Sequence, residues 1–284
     1  MHGGIVARHG PLWWVGAGVL AVLIALAGWT ELTYAASVSD GRDMSAYWNA
    51  ALRLQAGGPL YVAGIPTDSD LYRYAPWFAY VWIPFTHLPR EAVLLVWMTL
   101  CISAAIASVA PLLWRGPAGW ATLALLLPFQ LEGAAYGNVQ PLVVLALLWG
   151  LERRSGPLWI AFAASLKGTP ILLATVYAGR GEWRMAGIAL GLTALLVAPM
   201  LFFDLGGYST RIGGGQMSLL TVSVFLWVPV AALATAATWL MARTRYAWLV
   251  AAVAVVLALP RFLLYEAGFV LVGLAGPRTG EKGE

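Results

Sequence analysis

Residues 39–76 read SDGRDMSAYWNAALRLQAGGPLYVAGIPTDSDLYRYAP, the longest polar interval in an otherwise strongly apolar chain. The interval contains Asp40, Asp43, Asp68 and Asp70, four of the thirteen acidic residues, so acidic chemistry concentrates here. One apolar run precedes it, from about Leu12 to Ala35, and a series of apolar runs follows. It therefore reads as the first extramembrane loop, residues 38–90, of an all-α polytopic membrane protein.

Composition supports that class. Of 284 residues 61% are hydrophobic and 11% are charged, with a mean hydropathy of +0.77. A soluble domain is about one quarter charged. The seventeen basic residues are scattered, with Lys167 and Lys282 the two lysines, which excludes a nucleic-acid partner. Cys101 is the single cysteine, so no internal disulfide can form, and its apolar surroundings read as packing. His2, His9 and His87 are far apart in sequence, and no metal site is expected. The N-terminal run is longer than a signal-peptide core and carries Trp13 and Trp14 at one end, which reads as an uncleaved anchor.

Within the loop, DMSAYWNAALRLQAGGP (43–59) is expected to be a short helix. Asp43 stands at the N-cap position, Tyr47, Ala51 and Leu54 share a face, and Gly57-Gly58-Pro59 ends it. LYRYAPWFAYVWIPFTHLPRE (71–91) is broken by three prolines and is expected to lie shallow in the membrane interface. Full-length spans are expected at Ala92–Leu113, Met185–Phe203 and Leu219–Met241. The remaining runs are short and come in pairs. Trp120–Leu131 and Pro141–Leu151 flank EGAAYGNVQ; Pro157–Leu166 and Pro170–Ala178 flank Lys167-Gly168-Thr169; Tyr246–Leu259 and Phe262–Ala275 flank Pro260-Arg261. Runs of 10–14 residues fall short of the ~20 that cross a bilayer core. Polar turns between such pairs are expected to be buried in protein or to line a water-filled cavity. No internal repeat is visible, and residues 1–284 read as one domain, with 276–284 a cytoplasmic tail.

With a cytoplasmic N-terminus and ten segments, the inner loops sum to about +6 and the outer to about −2, in line with the positive-inside tendency. Asp43, Glu132, Lys167, Arg211, Arg261 and Glu266 then all face away from the cytoplasm.

Lys167, between two apolar segments, is the most unusual position. An ionisable residue at membrane depth is costly and points to function, here as a point charge for a phosphate; the plainer reading is a lysine snorkelling to the interface. Arg261, and with it Arg211, could hold a phosphate, although Arg261 could equally pair with Glu266 across a turn. Asp43 and Asp40 are candidate general bases, with helix capping and solvation as their plain alternatives. Asp68 and Asp70 read as loop solvation. Asn138 and Gln140 would present amides to sugar hydroxyls or satisfy a kinked backbone. Tyr47, Tyr74 and Tyr265 with Glu266 are candidates to line a sugar or acceptor site. Gly213-Gly214-Gly215 lacks the Lys-Ser/Thr of a phosphate loop and reads as an outer loop.

Five stretches in order, RDMSAYWNAALRLQAGGPLY, YRYAPWFAYVWIPFTHLP, YGNVQPLVVLALLWGLERR, LWIAFAASLKGTPILL and LPRFLLYE, cover most of residues 40–270. Together they resemble the membrane glycosyltransferases of the GT-C fold, in particular glycosyltransferase family 87. The resemblance implies a GT-C-like bundle of about 8–10 transmembrane or partly spanning helices. It also implies an inverting transfer of a sugar, mannose in the family, from a polyprenyl-phosphate donor to a glycolipid or glycan acceptor. The site would face away from the cytoplasm at a bacterial plasma membrane. Asp43 would match the family's acidic residue in the first loop, with Asp40 behind it. Lys167 and Arg261 would match basic residues at the lipid phosphate, which they neutralise, so no metal or other cofactor is expected. Where the family has Gly-Gln-x-Asn, this chain has Gly137-Asn138-Val139-Gln140. Two other classes fit the composition: a transporter or flippase for a lipid-linked sugar, and a non-catalytic scaffold of an envelope complex.

Overall fold

A computed structural model describes residues 11–38, 41–62, 71–208 and 217–275, excluding the side chains of 11–14 and 17. Asp40, Asp68, Asp70, Arg211, Gly213-Gly214-Gly215 and the C-terminal tail lie outside the described residues. Every element among the described residues is helical.

The first span, α1 (Pro11–Val38), leads into α2 (Arg42–Gln55) of the polar loop. The predicted helix is present, but Asp43 does not cap it. Gly41 takes the N-cap position with φ 72°, a conformation open to glycine, and Asp43 sits inside the first turn with its carboxylate engaged elsewhere. The other end is as expected: Gly57 (φ 68°) donates its N–H to Leu54 O and Gly58 to Arg53 O, a Schellman motif.

The proline-broken segment forms α3 (Pro76–Trp82) and a 3₁₀ turn, Ile83–His87. Then come α4 (Arg90–Val109) and α5 (Gly116–Ala135), joined by the 3₁₀ segment Ala110–Arg115. The expected short run Trp120–Leu131 is thus a twenty-residue helix that passes Pro128 and includes Glu132. Polarity does not end a helix; loss of backbone partners does. The end comes where Gly137 turns to φ 68° and Gly137 and Asn138 donate to Ala134 O and Gly133 O, a second Schellman motif.

The short elements follow: α6 (Gln140–Gly150), α7 (Gly156–Lys167), a 3₁₀ turn Thr169–Leu173, and α8 (Ala174–Arg180). Next is α9 (Trp183–Val197), extended by the 3₁₀ turn Ala198–Phe202. The expected span Leu219–Met241 is broken into α10 (Leu219–Val222) and α11 (Val224–Met241). Ser223 between them is extended, and its hydroxyl accepts from Phe225 N, starting a new helix. The last described elements are α12 (Ala247–Leu257), a 3₁₀ helix Leu264–Val270 and α13 (Leu271–Leu274).

Among the described residues four stretches are long and apolar enough to cross a bilayer: Gly18–Val38, Arg90–Ala135, Trp183–Phe202 and Val224–Met241. They carry most of the exposed apolar side chains, among them Leu95, Leu195, Leu233 and Leu240, the face a lipid phase would cover. The short α6, α7 and α12 supply much of the buried interior, including Val143, Val144, Ile160, Ala163, Ala251 and Val255. An eleven-residue helix is about 16 Å long, so its ends fall inside the bundle's depth. That is how the polar turns at Asn138, Lys167 and Arg261 come to lie among apolar neighbours.

Candidate active site

These turns converge with the start of α2. The Schellman turn ending α5 presents Asn138, buried at 1% exposure. Its Oδ1 accepts from Gln140 N at 2.8 Å, which fixes the amide's orientation and starts α6. Nδ2 therefore faces Asp43 Oδ2 at 2.5 Å, with the hydroxyls of Tyr265 at 3.1 Å and Tyr74 at 3.3 Å nearby. Two amide hydrogens cannot serve three acceptors at once, and the charged, closest one takes precedence. A backbone bond from Asp43 N to Tyr136 O (2.9 Å) ties the same two turns together.

The tyrosines form the wall. Tyr47 accepts from Val139 N (3.2 Å) and donates to Tyr74 Oη (3.0 Å). Tyr47 also packs its ring against Tyr74, Phe78, Trp82 and Trp97. Burial, reinforced for Tyr47 by Tyr74 and for Tyr74 by Asp43, pushes both phenols well above their ordinary range. They are neutral hydrogen-bonding groups there.

Lys167, the last residue of α7, has 4% of its side chain exposed. Its Nζ lies 3.6 Å from Glu266 Oε1 and over the rings of Tyr265 (5.2 Å) and Tyr74 (5.9 Å). Glu266 Oε2 in turn accepts from Leu263 N at 3.0 Å. Glu266, the alternative partner for Arg261 across the turn, pairs here with Lys167. Residue spacing along a turn cannot see a partner brought in from another helix.

Two cavities meet at this cluster. A groove of about 990 Å³ runs between the Lys167–Thr175 segment and α11, past Ile171, Leu172, Ala232 and Ala236. Lys167, Arg261 and Glu266 lie along its wall. Lys167, Arg261, Thr169 and Trp227 all line this groove; Arg261 Nη1, Thr169 Oγ1 and Trp227 Nε1 are buried with no hydrogen-bond partner, and Lys167 Nζ has the Glu266 ion pair alone. A cleft of about 340 Å³ lies on the other side of Tyr74 and holds Asp43, Tyr47, Tyr265, Glu31 and Glu132. Arg73, Tyr74 and Arg261 line both.

No protein family, curated protein or solved structure matches this chain.

Of the sequence candidates, Asp43, Tyr47, Tyr74, Asn138, Lys167, Arg261, Tyr265 and Glu266 come together here. Gln140 does not reach either cavity: its side chain is wholly buried at the start of α6, with both amide atoms unpartnered. Among the described residues no three of His, Cys, Asp and Glu gather at metal-binding range. Sequence reading missed Thr169, Trp227, Arg73, Glu31 and the cleft position of Glu132. Thr169 adjoins the Lys167-Gly168 turn that reading picked out. Trp227 is one of fifteen tryptophans and carries no local signal.

Proposed function

We propose that this protein is an inverting glycosyltransferase of the GT-C kind, with about 8–10 transmembrane or partly spanning helices. It transfers a sugar, by the family resemblance mannose, from a polyprenyl phosphate to an acceptor hydroxyl. The site faces away from the cytoplasm at a bacterial plasma membrane.

The observation that carries this reading is the junction of two unlike cavities at Tyr74 and Arg261. An apolar groove beside helices of bilayer length suits an isoprenoid tail. Its cations Lys167 and Arg261, with the unpartnered donors Arg261 Nη1, Thr169 Oγ1 and Trp227 Nε1, suit a phosphate monoanion. An unmade hydrogen bond at a buried polar atom is costly, and phosphate oxygens are acceptors for such donors. Across the junction the Asp43 carboxylate is held by Asn138 and is half-buried in the cleft.

The reaction is a single displacement. Asp43 takes the proton from the acceptor hydroxyl as its oxygen bonds to the sugar's anomeric carbon, and the bond from that carbon to the phosphate oxygen breaks. The electron pair of that bond leaves with the phosphate, taking it from a singly charged diester to a doubly charged polyprenyl phosphate, and Lys167 and Arg261 stabilise the added charge in a site of low dielectric. The one proton moved passes from the acceptor hydroxyl to Asp43. Protein purified in detergent, with no compartments to transport between, is expected to consume polyprenyl-phosphate-mannose when an acceptor is supplied. A transporter or flippase would leave the donor intact.

A further inference from the structure

We propose that the cleft takes the acceptor as a single neutral, hydroxyl-bearing ring, recognised through Glu132 and Glu31. The word acceptor rests on the transferase reading; the ligand chemistry does not. Glu132 on α5 is 4% exposed, lines the cleft, and has an Oε2 with no hydrogen-bond partner. A buried carboxyl oxygen without a hydrogen-bond partner is unfavourable, and a bound ligand with hydroxyls supplies one. Glu31 reaches the same cleft from α1, which packs on α5.

Charge defines the class further. Glu31, Asp43 and Glu132 line the cleft and not the groove, so an anionic acceptor would meet carboxylates on the walls that only the cleft possesses. Arg42, whose guanidinium lies over the Tyr136 ring at 5.7 Å, Arg73 and Arg261 balance these three acidic residues in formal charge, so the lining as a whole favours neither an anion nor an ammonium ligand. Arg73 and Arg261 belong to the wall shared with the groove. Tyr34, Tyr47 and Tyr136 add aromatic surface for the apolar face of a ring. At about 340 Å³ the cleft lies at the small end of ligand sites, sized for one ring and not an extended glycan.

The test is equilibrium binding, without donor, of radiolabelled methyl mannoside, methyl glucuronide and methyl glucosaminide to the full chain in lipid nanodiscs. The mannoside is expected to bind about tenfold more tightly than either charged analogue. Glu132→Gln and Glu31→Gln, each checked for an unchanged thermal midpoint, are expected to weaken mannoside binding about five- to tenfold. Absent mannoside binding, equal or tighter binding of a charged analogue, or mannoside binding unchanged in both variants would overturn the proposal. Protein that binds mannoside through Glu132 yet never consumes donor would refute the transferase reading alone.

Discussion

The Asn138 amide donates to Asp43 Oδ2 at 2.5 Å across 95 positions of sequence, and its own Oδ1 is held by Gln140 N. Asn138 is thus a positioning residue: backbone geometry aims its Nδ2, and Nδ2 aims the carboxylate. Asn138→Ala removes a hydrogen bond to a charged group, about 1.5–3 kcal/mol. We expect the turnover rate to fall about 10–100-fold with the KM for donor little changed, measured by initial rates of sugar transfer. A fall confined to the donor KM would contradict this role.

Gly137 sets the turn that carries Asn138. A Cβ there would lie 3.1 Å from Met44 Cβ on α2, at a φ of 68° that side-chain-bearing residues adopt at a cost. Gly137→Ala is expected to destabilise the fold by about 1–2 kcal/mol and to slow transfer as well, since α2 carries Asp43. Thermal unfolding in detergent and initial rates check the two effects separately.

Lys167 and Glu266 are both almost wholly buried, at 4% and 2% side-chain exposure. Lys167→Met leaves the Glu266 carboxylate without its cation and is expected to cost about 3–5 kcal/mol. Adding Glu266→Gln is expected to restore most of the thermal stability but not transfer, because the phosphate contact stays lost. Recovery of activity in the double variant would show that Lys167 serves the fold alone.

Trp227 offers Nε1 to the groove with no partner in the protein. Trp227→Phe keeps most of the ring and removes the donor. The expected result is a weakening of donor binding by about 0.5–1.5 kcal/mol with an unchanged unfolding midpoint, read from the donor KM.

At the opposite end of α6, Glu152 bridges Arg180 (3.6 Å) and the Trp248 indole N–H, and Arg180 donates to Ala242 O at 2.9 Å. These contacts tie the ends of α6, α8 and α11 to the start of α12, and none of the four residues lines either cavity. Trp248→Phe is expected to cost about 1 kcal/mol of stability and to leave the rate of transfer at its wild-type value.

The sequence made some of this legible and hid the rest for physical reasons. The membrane class followed from composition. The loop helix and its Gly57-Gly58 end followed from local backbone chemistry. Lys167 stood out because a charge among apolar segments is costly wherever it lies. Asp43 was placed at a cap because sequence spacing shows a helix start but not the φ of Gly41 that displaces the cap by two residues. Asn138 and Gln140 read alike in sequence, yet one faces Asp43 and the other the core, since Asn138 belongs to the turn and Gln140 starts α6. The Lys167–Glu266 pair joins residues from different helices, and Trp227 and Glu132 depend on the packing of α11 and α1. Such relationships arise only when the chain is folded.

Transfer of radiolabelled mannose from polyprenyl-phosphate-mannose, in membranes carrying wild type or Asp43→Asn, tests the central claim most directly. We predict labelled product from wild type and a loss of at least about 100-fold with Asp43→Asn, the scale of a general base, at equal amounts of folded protein. Equal transfer by the two proteins, or none by wild type with any polyprenyl-phosphate sugar, would contradict it.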